Sequence, residues 1–202
     1  MTQFNPTSLE KIKDMGMHLK ADREIVICGM INTVVVKRDK NEKQFAIITI
    51  EDYHDKHEAV VWSSTYEKYF EQIIIDEPLV LLGEIKLRNG SYSVNIDAIF
   101  SINEAIQRFG VGYKIFINIE NSIEMLEKLK KLSITQLADS KEFIFSLYSL
   151  SDDYRAEYKA KLKMDINIHT FQELIDIFDD KRIGNVKLLT KEIFVEKPSK
   201  KR

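Results

Sequence analysis

The chain has 202 residues, of which 44% are hydrophobic and 31% charged, enough for one large domain or two of roughly 100 residues each. Thirty Lys/Arg against 32 Asp/Glu leave a net charge of -2, which argues against coating nucleic acid by overall charge and makes any such contact local. A single cysteine, Cys28, excludes intrachain disulfides and cysteine-based zinc sites and fits a reducing compartment. No apolar run approaches the roughly 20 residues of a membrane span, and MTQFNPTSLEKIK lacks a signal-peptide core. A cytoplasmic chain with no membrane partner is expected.

In chain order, residues 1–22 read as a lead-in. Ile25 to Val36 is rich in β-branched residues with Gly29 inside it, a long strand with an interior bulge or sharp coil. The charged turn Lys37 to Lys43 leads to a second strand, Gln44 to Asp52, and Tyr53 to Lys56 turns into a third that ends at Trp62. Ser63 to Gln72 starts on capping candidates and spaces Tyr66, Tyr69 and Phe70 on one helical face. Pro78 to Leu87 and Ser91 to Ile102 are strands joined by the hairpin signal Asn89-Gly90.

Three strands, a short helix and then a hairpin suit a half-open sandwich or a five-stranded Greek-key barrel, the OB-fold. The helix between the third and fourth strands, where it plugs the barrel's end, favours the OB-fold over residues 23–107. The pattern then changes, with two glycines, Gly110 and Gly112, beside Arg108 reading as a turn between domains. Residues 112–190 give strand (Tyr113 to Ile119), helix (Ser122 to Leu132), strand (Glu142 to Tyr148), strand (Tyr158 to Ile166), helix (Thr170 to Phe178), strand (Asn185 to Leu189). That order predicts a small α+β domain of split-βαβ type, followed by a basic tail at 191–202. Charge divides unevenly between the halves. Residues 1–109 carry 13 Lys/Arg and 17 Asp/Glu, net -4, and residues 110–202 carry 17 and 15, net +2.

Several segments resemble the C-terminal region of the alpha subunit of bacterial DNA polymerase III, the C-family replicative polymerases. They are Gly29 in the first strand, the basic turn Lys37 to Lys43, ITIED at Ile48 to Asp52, VVWSSTYEKYFE at Val60 to Glu71, VLLGEI at Val80 to Ile85 and INEA at Ile102 to Ala105. The stretch Phe143 to Phe178 and GNVKLL at Gly184 to Leu189 resemble that subunit's final domain, so the likeness spans about residues 7–189. The resemblance implies an OB domain that holds single-stranded DNA template and a terminal domain that docks the clamp-loader subunit tau. The family's carboxylate triad and clamp-binding motif lie upstream in it and have no counterpart here. A non-catalytic piece of a longer polymerase is therefore implied, with the rest of the alpha subunit as a further partner.

Lys37, Arg38, Lys40 and Lys43 sit where OB-folds place one rim of the ligand groove, either as a phosphate rail or as a solvated hairpin tip. Strand alternation puts Ala46, Ile48 and Ile50 on one side and Phe45, Ile47 and Thr49 on the other. If the first set faces the core, Phe45 and Thr49 lie on the ligand face, with Phe45 a stacking platform; otherwise Phe45 packs under the turn. Glu58 and Val60 join the same face, and that carboxylate opposes phosphate. Arg88 and Tyr92 flank the Asn89-Gly90 hairpin at the opposite rim. Trp62, Tyr66 and Tyr69 read as packing residues and Cys28 as an inert core thiol. His54 and His57 with Asp52 and Asp55 do not make a metal cluster on spacing alone, and the adjacent pairs Asp152-Asp153 and Asp179-Asp180 are expected to point apart on a turn or helix end. No catalytic residue, metal or cofactor is expected. The competing readings are a protein-binding scaffold without DNA contact and a small metal-dependent nuclease.

Overall fold

The computed structural model describes residues 2–18, 20–88, 90–121, 123, 127–130, 140–149, 154–178 and 184–193. They divide into two units, residues 1–104 with 193–202, and residues 105–192.

The first unit is a closed barrel of β1 (Arg23–Arg38), β2 (Gln44–Glu51), β3 (Lys56–Val61), β4 (Pro78–Arg88) and β5 (Ser91–Ser101), in the order β1-β2-β3-β5-β4. Only β3 and β5 pair in parallel, through Ala59, Val60 and Val61 opposite Val94, Asn95 and Ile96. Strand β1 closes the barrel because it is long enough to be shared. Its first half, Arg23 to Met30, pairs with β4, and from Met30 onward it pairs with β2. Gly29 lies at that crossover, where an added Cβ would come within 2.5 Å of the Glu51 carbonyl oxygen. The bulge expected at Gly29 falls instead between Ile31 and Thr33, and the glycine serves the close crossing of two backbones. Alternation holds on β2: Ala46, Ile48 and Ile50 are fully buried and join Ile27, Ile31, Val61, Leu81, Ile85 and Ile96 in the core.

Helices α1 (Leu9–Met17) and α2 (Ser63–Tyr69) pack on this barrel. The short α2 (Ser63–Tyr69), continued by a 3-10 turn to Gln72, sits between β3 and β4 as expected, with buried Tyr69 edge-on to Phe100 at 6.1 Å. Its N-cap is Trp62, whose carbonyl accepts from Thr65 and Tyr66; no side chain caps it. The lead-in holds an unpredicted helix, α1 (Leu9–Met17), which buries Leu9 and Ile12. Ser8 Oγ accepts from Lys11 N, and the Asp52 carboxylate accepts from Leu9 N at 2.8 Å.

The predicted turn around Arg108 is instead α3 (Ile102–Phe109), which runs directly into β6 (Gly110–Asn118). A capping box starts that helix: Ser101 Oγ accepts from Glu104 N, and the Glu104 carboxylate accepts from Ser101 N at 2.8 Å. The boundary between the two units falls inside α3, after Glu104.

The second unit carries a four-stranded sheet in the order β8-β7-β6-β9, with β7 (Ser140–Tyr148), β8 (Arg155–Lys163) and β9 (Gly184–Thr190). The split-βαβ expectation is corrected here. A split unit would place β8 between β6 and β7, but those two are directly hydrogen-bonded in parallel from Gly112 to Asn118, and β8 takes the outer edge of β7. The sequence RAEYKAKLK is that of an edge strand: Arg155, Glu157, Tyr158 and Lys159 are all exposed, and lysine on an edge discourages further pairing. The last helix, α4 (Ile168–Phe178), buries Thr170, Leu174 and Phe178, and its Phe171 stacks on Tyr113 at 5.9 Å. The strand expected through Ile166 stops at Lys163, leaving Met164 and Ile166 buried outside the sheet. The helix expected at Ser122 to Leu132 lies largely outside the described residues, although 127–130 are helical and Leu129 is buried. Asp152, Asp153, Asp179, Asp180 and the basic tail from residue 194 also lie outside them. Among the described residues, no helix is long and apolar enough to cross a membrane.

Candidate nucleic-acid interface

The outer face of β1, β2 and β3 follows from register. Cross-strand rows run Lys37, Phe45; then Val35, Ile47, Val60; then Thr33, Thr49, Glu58; then Glu51 and Lys56. Phe45 points outward with Thr49, because Ala46, Ile48 and Ile50 fill the barrel. The alternative that Phe45 packs under the turn is replaced by a ring contact: it stacks on Trp62 with centroids 5.4 Å apart and planes at 26°. Val35 and Trp62 remain 49% and 45% exposed on this face, an apolar stripe open to solvent. The Thr33 hydroxyl donates to Thr49 Oγ1 at 2.7 Å, so Thr49 presents a polar step halfway down.

Trp62 is the residue that sequence reasoning missed. Alternation was the available signal, since Val61 is buried and the next residue must therefore turn outward. Its indole N–H donates to Asn95 Oδ1 at 2.8 Å, and Asn95, opposite Val60 on β5, is only 3% exposed.

The β1–β2 turn is set by Asp39. Its Oδ1 accepts from Asn41 N at 2.8 Å and Lys43 N at 3.0 Å, while Glu42 takes a left-handed conformation with φ of 61°. The Lys43 N–H is the first cause that holds the Asp39 carboxyl below its ordinary value, with the Asn41 N–H, the Lys43 charge and the Ser63 side chain adding to it against partial desolvation. Lys37, Lys40 and Lys43 are exposed around this turn. Arg38 differs: the ladder puts it opposite Gln44 rather than Phe45, on the reverse side of the strand, and it pairs with Glu42 at 3.3 Å. Lys43 and Gln44 also line an open cleft of about 500 Å³ with Ser63, Tyr66, Glu67 and Phe70 of α2 and its continuation.

At the other end of the face the charge reverses. Glu51 accepts from Lys56 Nζ at 2.9 Å and from Asn32 Nδ2, and both hold its carboxyl below the usual range. Glu58 is exposed. The face is therefore cationic and aromatic near the β1–β2 turn, and toward the β2–β3 turn it carries Glu58 and the Glu51–Lys56 ion pair.

The second predicted rim lies at the β4–β5 hairpin. Arg88 stands opposite Ser91 in the β4–β5 ladder; Gly90 has φ of 79°, and Asn89 is outside the described residues. Tyr92 pairs with Leu87 in the same ladder. Its hydroxyl is 3.1 Å from His57 Nε2, and its ring lies where a Cβ on Gly16 of α1 would be, 2.5 Å away.

The acid and histidine residues of the β2–β3 turn hold backbone together. Burial raises the Asp52 carboxyl, but the N–H groups of Leu9, His54 and Asp55 outweigh it and keep the group below its ordinary value. Asp55 pairs with Lys13. Among the described residues, no group of three or more His, Cys, Asp or Glu could hold a metal ion. Burial pushes the Cys28 thiol up to about 11, which keeps it protonated and unreactive at neutral pH.

Barrel order, capping helix and open three-strand face define an OB-fold, and residues 25–102 match the family described as OB-fold nucleic acid binding domain (tRNA_anti-codon). Over 174 residues, 84% of its length, the chain is 22% identical to DNA polymerase III subunit alpha of Borreliella burgdorferi. It spans about 15% of that relative. Two crystal forms of the mitochondrial single-stranded DNA binding protein Rim1 from S. cerevisiae align with 40% of the chain and with 93% and 95% of theirs, at 9% and 10% identity and a TM-score of 0.34.

Proposed function

We propose that the chain is a non-catalytic module of a replicative DNA polymerase whose barrel binds single-stranded DNA on the outer face of β1, β2 and β3. The observation that carries this reading is the exposed aromatic and apolar stripe bordered by cations on an OB-fold. Phe45 and Val35 offer ring and methyl surface to bases, Thr49 offers a hydroxyl, and Lys37, Lys40 and Lys43 meet the backbone phosphates. Arg38 and Tyr92 have other partners and are left out. With a handful of phosphate contacts, binding is weak and salt-dependent, which suits a module tethered at high effective concentration.

The similarity to polymerase III alpha over 174 residues extends well past the barrel, and this supports a second role. The terminal unit docks a clamp-loader subunit of tau type, and the rest of an alpha subunit is the natural partner in cis. One observation favours a competing reading: Glu58 and the net charge of -4 on residues 1–109 suit a face that binds protein instead of DNA.

A salt-dependent titration with fluorescent oligo(dT) and with duplex of equal length separates the two. The DNA reading expects oligo(dT) to bind more tightly, with affinity falling linearly in log salt. Absence of binding to oligo(dT) at low salt would leave the scaffold reading in its place. Co-elution with a tau-type subunit, abolished when residues 105–192 are removed, is the expected result for the second role.

A further inference from the structure

We infer that Trp62, the chain's one tryptophan, is the ring on which a bound strand stacks an unpaired base, and that Asn95 is its positioning residue; the inference rests on the single-stranded DNA reading above. An indole is among the largest apolar side chains a core can bury, and the ring that α2 buries, against Phe100, is Tyr69 instead. Trp62 stays 45% exposed at the last outward position beyond β3. Its single polar group is already satisfied by Asn95 Oδ1, and Phe45 lies against the ring in a near-parallel stack. Asn95 is itself held, its amide reaching Ser93 Oγ at 3.4 Å. The indole is thus presented in one orientation before any ligand arrives, so little side-chain ordering is left to oppose binding.

The surroundings select the ligand class. Lys37 stands beside Phe45 in register, and Lys43 lies two residues before it, so cations flank the ring pair. At the Trp62 end Lys37, Arg38, Lys40 and Lys43 outnumber Asp39, Glu42 and Glu67, while toward the opposite end Glu58 is exposed and Glu51 is paired with Lys56, so an anionic strand is drawn to the Trp62 end. Stacking needs an exposed base face, which single strands offer and duplexes hide, and it is tolerant of base identity.

Because every tryptophan photon comes from residue 62, the test is direct. The full-length chain is titrated with oligo(dT) carrying a fluorescent label, following label anisotropy and intrinsic tryptophan emission in parallel. The expected result is quenching of Trp62 that saturates with the anisotropy signal, and a Trp62→Ala variant that binds roughly 5- to 150-fold more weakly with an unchanged salt slope. Asn95→Leu should lower the tryptophan anisotropy of the unbound protein, shrink the quench and weaken binding severalfold. If Asn95 were merely structural, the melting temperature would fall while the quench amplitude stayed that of the parent. Binding by anisotropy with unaltered Trp62 emission would overturn the stacking role and leave the DNA reading standing. No binding by either signal overturns both. The quench is measured on the unaltered chain, so it decides the question even if Trp62→Ala does not fold.

Discussion

The phosphate and base contacts proposed for the OB face obey different physics and can be told apart residue by residue. Neutralising Lys40 and Lys43 together should lower the magnitude of the log affinity against log salt slope by about 0.7 for each phosphate left without its lysine, with little change in base preference. Phe45→Ala should weaken binding by about 1–3 kcal/mol and leave the slope alone, because stacking releases no counterions. Equilibrium titrations at several salt concentrations check both. Asp52 tests a structural carboxylate instead. Its folded value lies below the roughly 3.9 of an unfolded aspartate, so its contribution is fully present above about pH 4 and disappears as pH falls through the folded value. Urea unfolding between neutral and acid pH should show this loss in the parent and a flatter profile in Asp52→Ala. That variant should also be about 1–2 kcal/mol less stable at neutral pH, since Leu9 N loses its acceptor at the start of α1.

Among the elements, β1 has the least room for change, because it is shared between two neighbours. Gly29→Ala drives a methyl group into the Glu51 carbonyl, a backbone atom that cannot rotate away, and should destabilise the barrel by about 1–3 kcal/mol in denaturant unfolding. The elements that the pattern reveals are those with period-two alternation and long β-branched runs, such as β1, β2 and β4. The ones it conceals have signals too short to register. Helix α1 presents only Leu9, Ile12 and Gly16 to the barrel across nine residues. Helix α3 is legible in one respect, the Ser101-to-Glu104 capping box, but its Ile102 also continues the β5 alternation, so the run reads as strand.

For the whole molecule, the two units are expected to fold separately. Residues 1–104 expressed alone should give a cooperative β-type transition by circular dichroism; an unfolded spectrum would show that the barrel needs residues 105–192. Composition, alternation and turn residues were sufficient for the five barrel strands, the capping helix and the division of β2 into Ala46, Ile48 and Ile50 against Phe45, Ile47 and Thr49, because side-chain direction along a strand is a local property; which set fills the barrel was decided by the fold. Which strands become neighbours is not local. The direct pairing of β6 with β7, the displacement of β8 to an edge and the seating of the Tyr92 ring against Gly16 of α1 each depend on partners distant in sequence. The same holds for the site. Alternation along β3 is enough to turn Trp62 outward, but the hydrogen bond that fixes its indole forms only when β3 and β5 pair in parallel and bring Asn95 to the ring N–H, a contact across 33 residues that no local pattern encodes.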